Sequence, residues 1–416
     1  MEKTEKKYNF HFYILILTLV FNFWFPKAGI KLAGIPLTVG NVFLAFLFIV
    51  WIFKKLSSKS LKGTKAGLIL LIFIAYCIIK FLIIGNLLEN IGFIIPLIIY
   101  PLIFYIVYDC IDSHDKMEAV LKTIRIGFYI ITIYSIIQYI FGITNTDIPG
   151  LTVNYSDYVE YGDRWYLTKS NGVTFENGKI VSTYQNGNLF GINMLLFYPL
   201  VYFFYKKNND NKRLLISFIL FALCILLSLS RTAWLGLVLF ILLGVLMFKD
   251  NTKKSILIKI NLIALITCAV LAALFFIPSV SNRLFNTSLS GWISMSGRTE
   301  GLLNVIKSLV SSDSILAWLI GPEGISNFNG LAYEMGPLSI FVQIGIIGLV
   351  LFYYMIINCI NKMNKSSIFQ YAIKCSLTMW CIYGCIECGL WLPPTALNLF
   401  FVLALGYVYK YKEVEE

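Results

Sequence analysis

Charge is scarce in this chain. Of its 416 residues only 13% are Asp, Glu, Lys or Arg and 58% are hydrophobic, whereas soluble domains carry about 25% charged residues. That imbalance excludes a water-soluble globular domain. Histidine is nearly absent, with only His11 and His114, and most of the nine cysteines fall inside apolar runs. Cys385 and Cys388 have Cys-x-x-Cys spacing, but no second pair or histidine accompanies them, so neither a zinc site nor a disulfide framework is expected. A glycine-rich phosphate loop is missing, and with it the main sequence sign of an ATP-driven or nucleotide-sugar enzyme. The period-two alternation of an outer-membrane barrel is missing as well.

What remains is apolar runs of roughly 17 to 22 residues, the length a helix rising about 1.5 Å per residue needs to cross a hydrocarbon core of about 30 Å. Helices satisfy their own backbone in lipid. The expectation is an all-α polytopic membrane protein of about twelve transmembrane helices, with spans centred near Leu17, Leu44, Ile72, Ile99, Ile131, Leu196, Phe221, Leu239, Leu265, Ile347, Leu377 and Leu399. It forms a single membrane domain over 1–416. No small-residue cleavage site follows the first apolar run, so that run is expected to be a retained helix rather than a signal peptide.

Lysine and arginine set the orientation. With the amino terminus inside, the inside segments collect 24 of the 34 basic residues, and the positive-inside rule puts both termini in the cytoplasm. The net charge of +12 then reflects topology and attraction to anionic lipid rather than nucleic acid. Two long connections, 142–184 and 278–335, fall on the outer face, the second with amphipathic helices. Chemistry is expected there.

Polar residues at that face are the candidates. Lys80 lies about a turn below the outer end of the third span, either snorkelling to the surface or holding an anionic ligand. In the first loop, Asp157, Glu160, Asp163 and Arg164 mix with Tyr155, Tyr158, Tyr161 and Trp165, a composition that suits carbohydrate and equally an ordinary solvated loop. Gln185, Asn186 and Asn188 follow, where amides cap a helix or bind hydroxyls and a helix N-terminus favours phosphate. From Leu214 to Phe248 the chain is apolar over a length that would make one helix of about 52 Å, so it must turn. The strongly polar place to turn is Ser230-Arg231-Thr232. An arginine at membrane depth costs about 2.5–3.5 kcal/mol on insertion scales, which favours a ligand-holding role over a snorkelling one.

Ser230-Arg231-Thr232-Ala233-Trp234 resembles the Ser-Arg-(Gly/Thr)-Ala-Trp signature of the O-antigen ligase and Wzy polymerase superfamily, bacterial membrane enzymes that join undecaprenyl-diphosphate-linked glycans. Thr183 to Gly191 is similar to its Thr-Phe-x-Asn-Pro-Asn stretch, with Gly187 in place of proline, and Ser296-Gly297-Arg298-Thr299-Glu300 to its second arginine site. The ligase pattern of His, nine residues after its neighbour, then Gly-x-x-Gly has Glu334 at the histidine position before Gly345-Ile346-Ile347-Gly348, as in polymerases of Gram-positive type. The resemblance covers roughly 182–351 and implies a GT-C-like scaffold.

The chemistry follows from residue types. A departing pyrophosphate needs cations, and arginine's planar fork holds two phosphate oxygens while staying charged. Arg231 and Arg298 are the candidates. The acceptor hydroxyl needs a base, and Glu334 suits it if burial raises its pKa. Gln185, Asn186, Asn188, Glu300 and Lys80 are candidate substrate contacts. The expected reaction is polymerisation of polyprenyl-diphosphate-linked oligosaccharide repeats, metal- and cofactor-free, with donor and acceptor both lipid-linked and a chain-length regulator as a further partner. Two rivals stand beside it. A ligase of the same superfamily would pass finished glycan to a lipid, wall or protein acceptor. A transporter would show internal repeats and broken, charge-bearing spans meeting at the midplane; no convincing repeat is present, and the charges cluster at the outer face.

Overall fold

The computed structural model describes residues 8–32, 35–58, 65–84, 91–152, 180–247, 307, 315–321, 336–363, 368–387, 390 and 394–412. These residues are mostly helical. In chain order the helices are α1 (Phe10–Leu19), α2 (Val39–Ser58), α3 (Lys65–Ile84), α4 (Ile91–Ile94), α5 (Ile103–Cys110), α6 (His114–Phe141), α7 (Ile143–Thr146), α8 (Gly187–Lys207), α9 (Asn211–Leu227), α10 (Arg231–Met247), α11 (Ile315–Ile320), α12 (Gly336–Lys362), α13 (Ile368–Ile386) and α14 (Thr395–Lys412). Among the described residues, five stretches are long and apolar enough to cross a membrane: Val39–Ser57, Gly92–Cys110, His114–Phe141, Gly187–Lys207 and Gly336–Lys362. Every expected span centre from Leu17 to Leu239, and Ile347, Leu377 and Leu399, falls inside a helical segment; Leu265 lies outside the described residues.

Among the described residues, a β-hairpin separates α1 from α2. Strands β1 (Gly29–Leu32) and β2 (Ile35–Thr38) form an antiparallel hairpin, with Gly29 opposite Thr38 and Leu32 opposite Ile35. Gly29 has φ +144°, and a Cβ there would sit 2.8 Å from Thr38 Cα, so the hairpin can close only on glycine. The sequence carries a short apolar alternation that suits it, Ile30 and Leu32 and then Ile35 and Leu37, hidden among longer helical runs.

Helix α8 is the axis of the bundle. Its apolar window is 83% buried, against 17% for α2, whose Ile49, Ile52, Phe53 and Leu56 are exposed as lipid-facing residues would be. It packs on α6, α9, α10, α13 and α14. Its N-terminus is capped by Asn186, whose Oδ1 accepts from Asn188 N at 3.0 Å and Leu189 N at 2.8 Å. Its last turn ends on Lys206 and Lys207, favourable at the negative end of the dipole. The chain then reverses through Asn209 at φ +52°, and Asp210 caps α9 by accepting from Arg213 N at 3.1 Å.

Buried amides tie the axis to its neighbours. Asn193 Nδ2 donates to Thr395 Oγ1 at 3.3 Å, and Asn398 Nδ2 donates to Asn193 Oδ1 at 2.8 Å and to Asn22 O at 3.2 Å. Asn22 sits in a π-helical turn, Val20–Trp24, that extends α1. Such a turn shifts the backbone pairing, and the Asn398 amide takes up the Asn22 carbonyl. Interhelical hydrogen bonds of this kind contribute about 0.6 kcal/mol each on average in membranes, so the network sets register more than stability.

Candidate functional site

Between α9 and α10 the chain turns in three residues. Leu229 takes the left-handed conformation, φ +49°. Ser228 Oγ donates to Ile225 O at 2.7 Å and accepts from Ser230 N at 3.3 Å, and Ser230 Oγ accepts from Ala233 N at 3.3 Å as the N-cap of α10. Trp234 Nε1 donates to Ile225 O and Leu226 O, each at 3.1 Å, adding a side-chain donor to carbonyls in the last turn of α9. The turn is thus built from its own serines and tryptophan, and it leaves Arg231 half-buried at the first position of α10.

The segment 180–186 lies against this turn. Ile180 N donates to Leu227 O at 3.1 Å. From α6, Gln138 Oε1 accepts from Val181 N at 3.0 Å and Ser182 N at 2.8 Å, pinning Ser182 at φ +53°. Tyr184 is buried and its hydroxyl donates to Phe23 O at 2.8 Å. Thr183 is fully buried, and its hydroxyl has no hydrogen-bond partner. Gln185, Asn186 and Asn188 are half-buried around the start of α8.

Helix α13 closes the group. Tyr383 OH donates to Asn188 O at 2.8 Å and lies 3.4 Å from Ser230 Oγ. One turn on, Glu387 accepts from Thr232 Oγ1 at 3.2 Å. Small residues let the three helices meet: a Cβ on Gly191 would stand 2.6 Å from Ala233 Cβ, and one on Gly236 would strike Leu195. The N-termini of α8 and α10, each with a partial positive charge, therefore end beside an arginine, a carboxylate and the hydroxyls of Ser230, Thr232 and Tyr383. That combination can hold an anion and take up a proton.

The expected residues divide as follows. Arg231, Gln185, Asn186 and Asn188 come together at one end of the bundle. Glu334, Arg298 and Glu300 lie outside the described residues, as do Asp157, Glu160, Asp163 and Arg164. Lys80 goes elsewhere. It is only 2% exposed, so it does not snorkel, and its Nζ donates to Gly321 O at 3.2 Å. Gly321 follows α11 and rests on α12 where that helix breaks: Gly345 has φ +65° and ψ −173°. One turn before Lys80, Tyr76 OH donates to Ile344 O at 2.6 Å at the same break. Gln343 beside it is 1% exposed, with neither side-chain atom hydrogen-bonded. The structure therefore contains a broken apolar helix next to a buried lysine, which the sequence reading did not anticipate.

Sequence reasoning also missed Tyr383, Glu387 and Gln138 as parts of the site. Glu387 had a usable signal, since it is a carboxylate at the end of a span on the candidate face. Among the described residues one cluster has metal-ligand character: His114, Asp115 and Glu118, with ligand atoms within 4.8 Å of one another. It lies at the start of α6, the opposite end of the bundle. Comparison with protein-family models, with curated proteins and with solved structures gives no match.

Proposed function

We propose that this protein is a polysaccharide polymerase of the bacterial cell membrane, with about twelve spans, both termini cytoplasmic and the Arg231 end facing outward. It transfers a growing glycan from polyprenyl diphosphate onto the next lipid-linked repeat. The acceptor hydroxyl oxygen attacks the anomeric carbon, the bond from that carbon to the diphosphate oxygen breaks, and the diphosphate leaves with the electron pair. Arg231 and the N-termini of α8 and α10 receive the developing negative charge. Arg298 adds to it, and Glu334 takes the proton, as the superfamily resemblance implies; Glu387, bonded to Thr232, is a second carboxylate for that role. The observation that supports the reading is the convergence of Arg231, Asn188, Tyr383 and Glu387 at one end of the bundle.

The test is a reconstitution in liposomes with a diphosphate-linked repeat, products resolved by length. Wild type gives a ladder, and Arg231→Ala reduces it at least about a hundredfold, the order of losing one preorganised charge-stabilising donor. A wild-type ladder from a folded Arg231→Ala protein would refute the role assigned to Arg231.

A second reading, a lipid-linked glycan transporter, draws on the break at Gly345 and the buried Lys80 beside it, since transporter sites are commonly built at discontinuous helices. The same liposomes decide. Movement of labelled lipid between leaflets with no new glycosidic bond favours the transporter.

A further inference from the structure

At the end of the bundle away from Arg231, a cavity of about 180 Å³ lies between the first turns of α6, the last turns of α8 and the start of α13. Its walls are apolar, made by Met117, Leu121, Leu200, Phe203, Phe204 and Phe369. Its polar lining is of two kinds. From α6 come His114 and Glu118, which with Asp115 form the cluster whose ligand atoms lie within 4.8 Å of one another. From α8 come Lys207 and Asn208.

We infer that this cavity binds an amine-bearing zwitterionic phospholipid, of the phosphatidylethanolamine class. The carboxylate cluster suits a primary ammonium, which has N–H donors to offer it. Lys207, the Asn208 amide and the positive end of the α6 dipole suit the phosphate. The apolar walls suit the first part of an acyl chain. A bare metal ion satisfies only the first of these features. A soluble phosphate satisfies only the second. The lipid satisfies all three, and this site does not depend on the glycan reading of the other end.

The experiment is native mass spectrometry and thermal unfolding of the full chain in detergent, with phosphatidylethanolamine, phosphatidylcholine or phosphatidylglycerol added. Phosphatidylethanolamine is retained preferentially and raises the unfolding temperature. Glu118→Gln weakens that retention about tenfold, the order of one charge-assisted hydrogen bond. Lys207→Ala weakens it similarly, and because both residues are exposed, neither change removes core packing. Leu121→Trp, which fills the cavity, abolishes it. Equal retention of all three lipids, or full preference in Glu118→Gln, overturns the inference. Equal stabilisation by soluble O-phosphoethanolamine, or by Mn²⁺ in place of lipid, also overturns it.

Discussion

Gly345→Ala tests the break in α12 directly. At φ +65° and ψ −173° the residue occupies a region that only glycine enters readily, and an alanine held there is strained by about 1–3 kcal/mol. Its Cβ would also stand 2.5 Å from the Leu319 carbonyl carbon and would press on Gly321 N. Both are backbone atoms, so no rotamer change relieves the contact, and α11 must move off α12 at the cost of about 1–3 kcal/mol that overpacking carries. The sum is about 2–6 kcal/mol. With about 2–4 °C lost per kcal/mol in domains of 150–250 residues, the apparent unfolding temperature in detergent should fall by at least several degrees. Gly384→Ala in α13 is the control, because its Cβ meets nothing nearer than 3.8 Å and a helical Gly→Ala change gains up to about 1 kcal/mol. Equal unfolding temperatures for Gly345→Ala and wild type would refute the reasoning, since they would mean that α12 runs straight without cost.

Two further changes probe the rest of the frame. Asn186→Ala removes the cap of α8 and should cost about 1 kcal/mol, read as a lowered unfolding temperature, with Asn186→Ser restoring most of it. Asn398→Leu strands Asn193 Oδ1 and the Asn22 carbonyl and should destabilise by about 1–3 kcal/mol, whereas the double change Asn193→Leu/Asn398→Leu should cost less than the sum of the single ones, as a double-mutant cycle will measure.

Much of this frame was legible in the sequence because its signals are local. A run from Leu214 to Phe248 is too long for one span and has one polar place to turn, and it turns there. Asn186 ahead of Gly187-Asn188 reads as a cap, and it caps. The break at Gly345 was not legible: Gly-x-x-Gly spacing serves close packing and backbone discontinuity alike, and the choice is made by α11, which presses Leu319 and Gly321 onto that point. The partners of Arg231's turn were hidden for the same reason. Tyr383 reaches Asn188 across 195 residues and Thr232 meets Glu387 across 155, and no spacing rule carries such pairs. Lys80 was visible as an anomaly in an apolar span, but its acceptor, a carbonyl 241 residues away, was not.

The construction of the α9–α10 turn bears on how any experiment at Arg231 is read. Ser228, Ser230 and Trp234 cap both helix ends, and these cap bonds do not use the Arg231 side chain. A change at Arg231 therefore alters the charge at this end of the bundle while leaving these caps in place. Changes at Tyr383 or Gln138 do not separate so cleanly, because each holds backbone of the 180–188 segment and would move Gln185, Asn186 and Asn188 along with itself. Loss of polymer in Arg231→Ala at unchanged unfolding temperature thus speaks to chemistry, while the same loss in Tyr383→Phe speaks first to position. Only if Tyr383→Phe keeps its unfolding temperature and its lipid affinity, and loses turnover alone, does the Tyr383 hydroxyl itself enter the reaction.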